Sequence, residues 1–186
     1  FNNRISRVQI TQGNDVIRDL MAVRVGSVGY LYDQIGGTLY ANSGTGDFVV
    51  GRDLPYDAEV EYLESSGTQY IDTGVVPIPN EIIVVNFAYS TLYSSIAYVF
   101  GSRRTSGSAG NRVSLGNGTA GTISVWMTAQ ANFNVRDTNW HEVTIDTGAA
   151  TAAIDGGAAL SCNQYDGSVY SYYLFGINNS NSFSYP

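Results

Sequence analysis

Almost no part of this chain reads as an amphipathic helix, and no other property of the sequence restricts its fold as strongly. The longest stretch without a strong breaker, Ala129 to Asn139, has no apolar stripe at i, i+3, i+4 spacing. Short runs of β-branched and aromatic residues, punctuated by Gly, Asn, Asp and Ser, fill the remainder, which is the pattern of an all-β sandwich. The first half predicts strands at Arg4–Thr11, Val16–Arg24, Gly29–Tyr32, Thr38–Ala41, Phe48–Gly51, Glu59–Leu63, Gln69–Asp72 and Glu81–Tyr89. The second half predicts Ile96–Ser102, Arg112–Leu115, Thr122–Thr128, His141–Thr147, Ala150–Ile154, Ala158–Ser161 and Val169–Gly176. Gly13-Asn14, Gly36-Gly37, Asp155-Gly156-Gly157 and Asp166-Gly167 are turn signals between them. Ile154-Asp155-Gly156-Gly157 lies between two apolar runs and reads as a hairpin, and Ser102–Asn111 reads as the most flexible loop.

At 186 residues the chain can close one sandwich around a well-buried core. It has no apolar run of about eighteen residues, so no membrane-inserted helix is expected. A formal charge of −7, with only nine Lys plus Arg, argues against nucleic acid as partner, because too few cations are present to displace its counterions. Acidity of this size favours solubility. Cys162 is the single cysteine, so no intrachain disulfide forms, and a lone thiol reads as a small buried hydrophobe. Phe1-Asn-Asn-Arg has no Met, no basic segment and no apolar segment, so it is not a signal peptide. The chain reads as an excerpt of something longer.

Two blocks stand out for their motifs. One runs from Asp57 to Gly74, and its core, Tyr62-Leu-Glu-Ser-Ser-Gly-Thr-Gln-Tyr-Ile-Asp-Thr-Gly74, is a strand, a tight turn and a second extended piece. The other comprises Val16–Arg24, Val28–Asp33 and the run Gly36-Gly-Thr-Leu-Tyr-Ala-Asn-Ser-Gly-Thr-Gly-Asp-Phe-Val-Val-Gly51. The Tyr62 run resembles the opening of concanavalin A-like, laminin-G-like jelly-roll modules of bacterial surface proteins and tailed-phage virion proteins. The other block resembles the stretch that closes such modules. In them it is reached through a strand ending in a Tyr-Leu-Phe-Gly sequence, as at Tyr173-Leu174-Phe175-Gly176, and then a strand like Arg4–Ile10.

The order here is out of phase, and joining Pro186 to Phe1 would restore it. The resemblance thus implies an antiparallel two-sheet jelly roll in which residues 1–53 supply closing strands, of this unit or of a preceding repeat. Residues 54–58 form a linker that overlaps the Arg52–Tyr56 break, and residues 59–186 supply the opening and central strands. A tandem array cut at a loop and a circular permutant both give this order, the array being the preferred reading.

Candidate sites are few. Along Thr122–Thr128, Ile123, Val125 and Met127 face one way, while Thr122, Ser124, Trp126 and Thr128 face the other. A Trp on a hydroxyl-rich face is an amphipathic platform for a sugar ring. The expected glycan surface is therefore Trp126, Ser124 and Thr128, extended by Tyr165, Tyr170 and Tyr172, tyrosines that fit a protein–protein interface equally well. Covering of Trp126 by a loop or a neighbouring unit is the competing reading. Glu59-Val-Glu61-Tyr-Leu-Glu64 resembles the Glu-x-Asp-x-x-Glu strand of laminarinase-type glycosidases, whose outer carboxylates sit about 5–5.5 Å apart. In a regular strand Glu59 and Glu61 share a face and Glu64 opposes them, so an edge strand guarded by carboxylates is the favoured reading.

His141 has no second His or reactive Cys to work with. It shares an apolar face with Val143 and Ile145, so it and Trp140 are read as shaping the core or its rim. Asp146, Asp155 and Gly44–Asp47 could offer oxygens to a structural Ca²⁺, but no calcium-loop spacing occurs, and no cofactor is expected. Asn117-Gly-Thr119 and Asn178-Asn-Ser180 match the N-glycosylation triplet without further support. The expected function is a non-enzymatic, repeated structural and adhesive module of an extracellular, cell-surface or virion fibre. Its partners would be copies of itself and cell-surface glycans, with no nucleic acid and no membrane insertion. A stand-alone lectin-like domain is the alternative, and a glucanase using Glu59 and Glu64 the second.

Overall fold

The computed structural model describes residues 3–51, 60–92, 94–104, 112–118, 121–135, 137–165, 168–180 and 182–184. Its elements are β-strands. The first half of the chain forms β1 (Asn3–Gln12), β2 (Asp15–Val25), β3 (Val28–Asp33), β4 (Thr38–Tyr40), β5 (Val49–Val50), β6 (Leu63–Glu64), β7 (Ile71–Asp72), β8 (Glu81–Tyr89) and β9 (Ala97–Arg103). There follow β10 (Arg112–Asn117), β11 (Ile123–Trp126), β12 (Gln130–Phe133), β13 (His141–Asp146), β14 (Thr151–Ile154), β15 (Leu160–Ser161), β16 (Tyr173–Leu174), β17 (Ile177–Asn179) and β18 (Phe183–Ser184).

The strands form two sheets. The larger has ten strands in the order β15-β14-β13-β8-β1-β2-β3-β4, with β6 pairing β1 and β5 pairing β6. The smaller has eight, in the order β12-β11-β10-β9-β16-β7, with β17 joined to β9 and β18 to β17. All pairings are antiparallel except that of β17 with β9. The inner faces share one core: Ile5, Val8, Ile10, Ile83, Val85, Phe87, Val143 and Ile145 of the large sheet meet Val99, Phe100, Val113, Leu115, Ile123, Val125 and Leu174 of the small one. This is the expected all-β, two-sheet architecture.

β1 sits in the middle of the large sheet. β8 pairs it along one edge from Asn3 to Gln12, while the other edge is shared by β6, at Arg4 and Ile5, and β2, from Arg7 onward. Ile5 and Val8 are both fully buried although three residues apart, a spacing that would send them to opposite faces of a regular strand. A register shift between Ile5 and Arg7 leaves Ser6 unpaired as a bulge and turns both side chains inward. β9 uses the same device: Val99 is passed over between the Tyr98–Gly116 and Phe100–Leu115 pairs, and Val99 and Phe100 are both buried.

The two motif blocks lie against each other. Val49 pairs Glu64 and Val50 pairs Leu63. Ser43 N donates to Tyr70 O at 3.0 Å, and Gly51 N to Tyr62 O at 2.9 Å. Thr68 Oγ1 donates to Thr45 O at 2.8 Å, and Gln69 Nε2 to Asp47 O at 3.1 Å. Glycine is needed at this seam, because a Cβ on Gly44 would run into the Thr68 carbonyl and one on Gly51 would come within 2.8 Å of the Tyr62 ring. The 54–58 linker, the Asp166-Gly167 turn and most of the Ser102–Asn111 loop lie outside the described residues.

Each strand read from the sequence overlaps an observed one, and three observed strands were not foreseen: β12, β17 and β18. β12 buries only Ala131 and Phe133, alternating with Gln130 and Asn132 that face out, and none of the four is β-branched. Since β1 lies between β2, from before the 54–58 linker, and β8, from after it, Ile10→Ala should unfold the whole body in one transition. Its cost should be about 2–5 kcal/mol in urea denaturation followed by circular dichroism and Trp fluorescence together. Two separated transitions would show that residues 3–51 fold apart from the rest.

Candidate functional site

Register decides which side chains share the outer face of the large sheet. Arg7 stands opposite Asn86 on one side and Met21 on the other, and Asn86 stands opposite Glu142. In the next row outward, Gln9 stands between Val84 and Asp19. Val8, Ile10, Val85 and Val143, which alternate with these, are buried in the core. Arg7, Gln9, Val84, Asn86 and Glu142 line a shallow depression of about 180 Å³. Arg7 is held there by Asp19 through two parallel bonds, Nε to Oδ1 at 2.7 Å and Nη2 to Oδ2 at 2.6 Å. That hydrogen bonding raises the guanidinium above its ordinary pKa.

One row in the opposite direction, Arg4 stands between Ala88 and Glu64. Its Nε donates to Glu64 Oε2 at 3.0 Å, and its guanidinium lies 4.5 Å above the Tyr62 ring. Tyr62 lies 6.0 Å from the ring of Trp140, which is 41% exposed at the entry to β13. An aromatic shelf, Trp140 and Tyr62, thus borders a depression lined by amides, a guanidinium and a carboxylate.

His141 follows Trp140 and is buried. It turns inward beside Trp140, with Nδ1 2.7 Å from Asp155 Oδ2 and Nε2 3.1 Å from Asp137 Oδ1. Asp137 is held below the ordinary aspartate pKa by the Asn139 backbone N–H and by His141. Burial works to raise Asp155, but its bonds to His141 and the Glu142 N–H bring it below as well.

The expected alternation along β11 is present, yet Trp126, Ser124, Thr128, Tyr165 and Tyr172 do not form a glycan surface. Trp126 is only 5% exposed: it packs with Tyr98, whose ring is 5.6 Å away, and with Ile177, and Arg112 lies 5.6 Å over its face. The covered reading of Trp126 therefore describes it. Ser124 is fully buried, and its hydroxyl donates to Asn132 Oδ1 at 2.7 Å. Thr128 gives its hydroxyl to the Gln164 carbonyl. Tyr165 is half-buried against the main core. Tyr172 lies on the inner side, fully buried and stacked on Phe100 at 4.5 Å, with its OH donating to Glu81 Oε2 at 2.8 Å. The period-2 pattern placed Trp126 on the right face but could not reveal that the face is covered.

Trp140 was missed, although the same signal was present. If His141, Val143 and Ile145 face inward, then Trp140, Glu142 and Thr144 form a polar outer face bearing a Trp.

The other candidates resolve simply. Glu64 is committed to Arg4, and Glu59 lies outside the described residues. Cys162 is buried, and burial pushes its thiol up to about 11. Asp155 is engaged with His141, and Asp146 Oδ1 accepts the Ala149 N–H at 2.8 Å. Among the described residues no group of three or more His, Cys, Asp or Glu is placed to hold a metal ion, and no helix is long and apolar enough to cross a membrane. Asn117 and Asn178 are buried, their amides bonded to Ser95 O and Ser171 O, so neither side chain is open to glycosylation in the folded chain. Comparison with protein-family models, with curated proteins and with solved structures finds no match to the chain.

Tyr172 leads to one buried acid. Glu81 is fully buried and accepts bonds from Gln12 Nε2 at 2.9 Å and from Tyr172 OH. Burial raises its pKa above the ordinary glutamate value despite these bonds. A raised folded pKa contributes stability that is complete below the unfolded value and is lost as pH rises through the folded one. Glu81→Gln keeps both partners and never ionises, so it should gain stability relative to the parent as pH rises from about 4 to about 8. Glu81→Ala should lose about 1–3 kcal/mol by stranding Gln12 and Tyr172. Urea midpoints across that range measure both.

Proposed function

We propose that the chain is a non-enzymatic module of a fibre outside the cell or on a virion, of the concanavalin A-like jelly-roll kind, repeated along the fibre. In this reading it recognises glycans on the outer face of its large sheet. The exposed Trp140–Tyr62 shelf beside the Arg7, Gln9, Asn86 and Glu142 depression carries the proposal. A sugar ring offers an apolar face that stacks on an aromatic side chain, and an edge of hydroxyls that both donate and accept. Carboxylate, amide and guanidinium groups one row away answer such an edge. The site therefore replaces Trp126 as the sugar platform and leaves the class of function unchanged.

A second observation bears on the out-of-phase order. Asn3 O accepts the Ser65 N–H at 3.0 Å, and Phe183 stacks on Tyr70 at 4.6 Å. Segments near both ends of the chain thus reach the same turn, an arrangement that supports the tandem array and the circular permutant alike.

The test is a glycan array with the parent and Trp140→Ala. Loss of the stacking partner should weaken binding by about tenfold or more with the fold intact by circular dichroism. Trp126→Ala should instead destabilise the fold by about 3 kcal/mol. Equal binding by the parent and Trp140→Ala, or no glycan bound by the parent, would refute the recognition reading.

A further inference from the structure

At the end of β13 away from Trp140, three segments border a second hollow, of about 310 Å³. One is the Pro79–Asn80 turn that leads into β8, one the Thr147–Ala150 turn between β13 and β14, and the third Asn163–Tyr165, which follows β15. Bonds to and between them fix their positions. Thr147 N donates to Glu81 O at 3.0 Å, while its Oγ1 accepts the Glu81 N–H at 2.8 Å and donates to Ile78 O at 3.1 Å. Ala150 O accepts the Cys162 N–H at 2.7 Å, and Asn80 O accepts the Gly13 N–H at 3.2 Å. The first two turns approach closely: a Cβ on Gly148 would lie 2.6 Å from Asn80 Oδ1 and 3.2 Å from Asn80 Cα.

The backbone is strained where it lines this hollow. Among the described residues six other than glycine have a left-handed φ, and three of them are here: Asn80 at 66°, Ala150 at 51° and Asn163 at 70°, one from each segment. Asn tolerates that conformation, whereas Ala adopts it only at a cost. Such conformations persist where the surroundings impose them, and they gather at ligand sites. At Ala150 the left-handed turn sets the carbonyl on Cys162 while the methyl enters the core, and so brings Asn163 and Gln164 beside the 147–150 turn. The strained rim presents three exposed amides, those of Asn80, Asn163 and Gln164. Pro79 and the half-buried Tyr165, which packs on the core, supply apolar walls. A side-chain amide both donates and accepts. Amides on separate walls can therefore meet hydroxyls that point in different directions, while Pro79 and Tyr165 cover the C–H face of a ring.

We propose that this hollow binds a single neutral sugar residue, with the amides of Asn80, Asn163 and Gln164 on its hydroxyls and Tyr165 against its ring. A hollow bordered on three sides by turns holds one residue at the end of a chain, whereas the Arg7 depression lies on a sheet face. The site stands roughly 20 Å along β13 from the Trp140 shelf and does not depend on it.

The experiment titrates the isotope-labelled chain with glucose, galactose and N-acetylglucosamine and follows its backbone amides by NMR. At least one sugar should move the signals of Asn80, Gly148, Ala149, Asn163 and Gln164 together along one saturable curve. The Trp140 indole signal reports the other site separately in the same spectra. Asn80→Gly and Asn163→Gly each remove an amide and leave a residue at home in the left-handed backbone, so the fold should hold. Together they should weaken the sugar by about tenfold or more. Gln164→Ala serves as the independent variant should that pair disturb the turns. No movement of these signals with any of the three sugars, or an unchanged curve in every variant, would overturn the site. Movement confined to N-acetylglycinamide, a peptide-like amide titrated in parallel, would overturn the saccharide as its ligand.

Discussion

The structure depends on burying one face of β1 along its whole length between β8 on one side and β6 and β2 on the other. A strand in the middle of a sheet satisfies its backbone groups on both edges, and its inward side chains then meet the opposite sheet. Arg4-Ile-Ser-Arg-Val-Gln-Ile10 does not alternate cleanly, and the bulge at Ser6 reconciles it with a single inner face. The irregularity has a consequence for the outer face. Arg4 and Arg7 both point outward although three residues apart, and this puts the cation under the aromatic shelf beside the cation in the polar depression. The packing requirement at Ile5 and Val8 therefore determines the spacing of the outward groups on the other side of the sheet.

Much of this was legible in the sequence. Alternation and turn residues gave the class of fold and placed most strands, with Glu81–Tyr89 matching end to end. Elements whose identity comes from tertiary packing were not legible. Gln130–Phe133 pairs because β11 presents an edge to it, and Ile177–Asn179 runs parallel to β9 where β16 stops. The two-residue strands β5 and β6 are short because loop backbone, bonded across the 43–51 and 62–70 segments, takes over from the ladder.

The two tryptophans show where a period-2 reading runs out. Trp126 and Trp140 each sit on the outward side of a strand whose other side is core. Alternation therefore assigns both to a surface. What separates them is the third dimension: Trp126 has Tyr98 and Ile177 from β9 and β17 beside it and Arg112 over it, whereas Trp140 has Tyr62 beside it and solvent above. The residues that cover Trp126 come from strands far away in the chain, one of them a strand that sequence patterning did not reveal. Tyr172 failed as a surface residue for a related reason. A Tyr is placed inward when an acceptor waits there, and Glu81, buried at the start of a strand, supplies one.

Where the chain places its cations is as informative as where it buries apolar groups. On the large sheet three arginines lie against carboxylates: Arg4 against Glu64, Arg7 against Asp19 and Arg18 against Asp33. Pairing of this kind reduces the long-range attraction of those cations for charge. On the small sheet Arg103 and Arg112 stand opposite each other, in a chain whose carboxylates outnumber its cations. Folding tolerates that arrangement because Tyr98 and Trp126 hold the stems of the two side chains on an apolar floor.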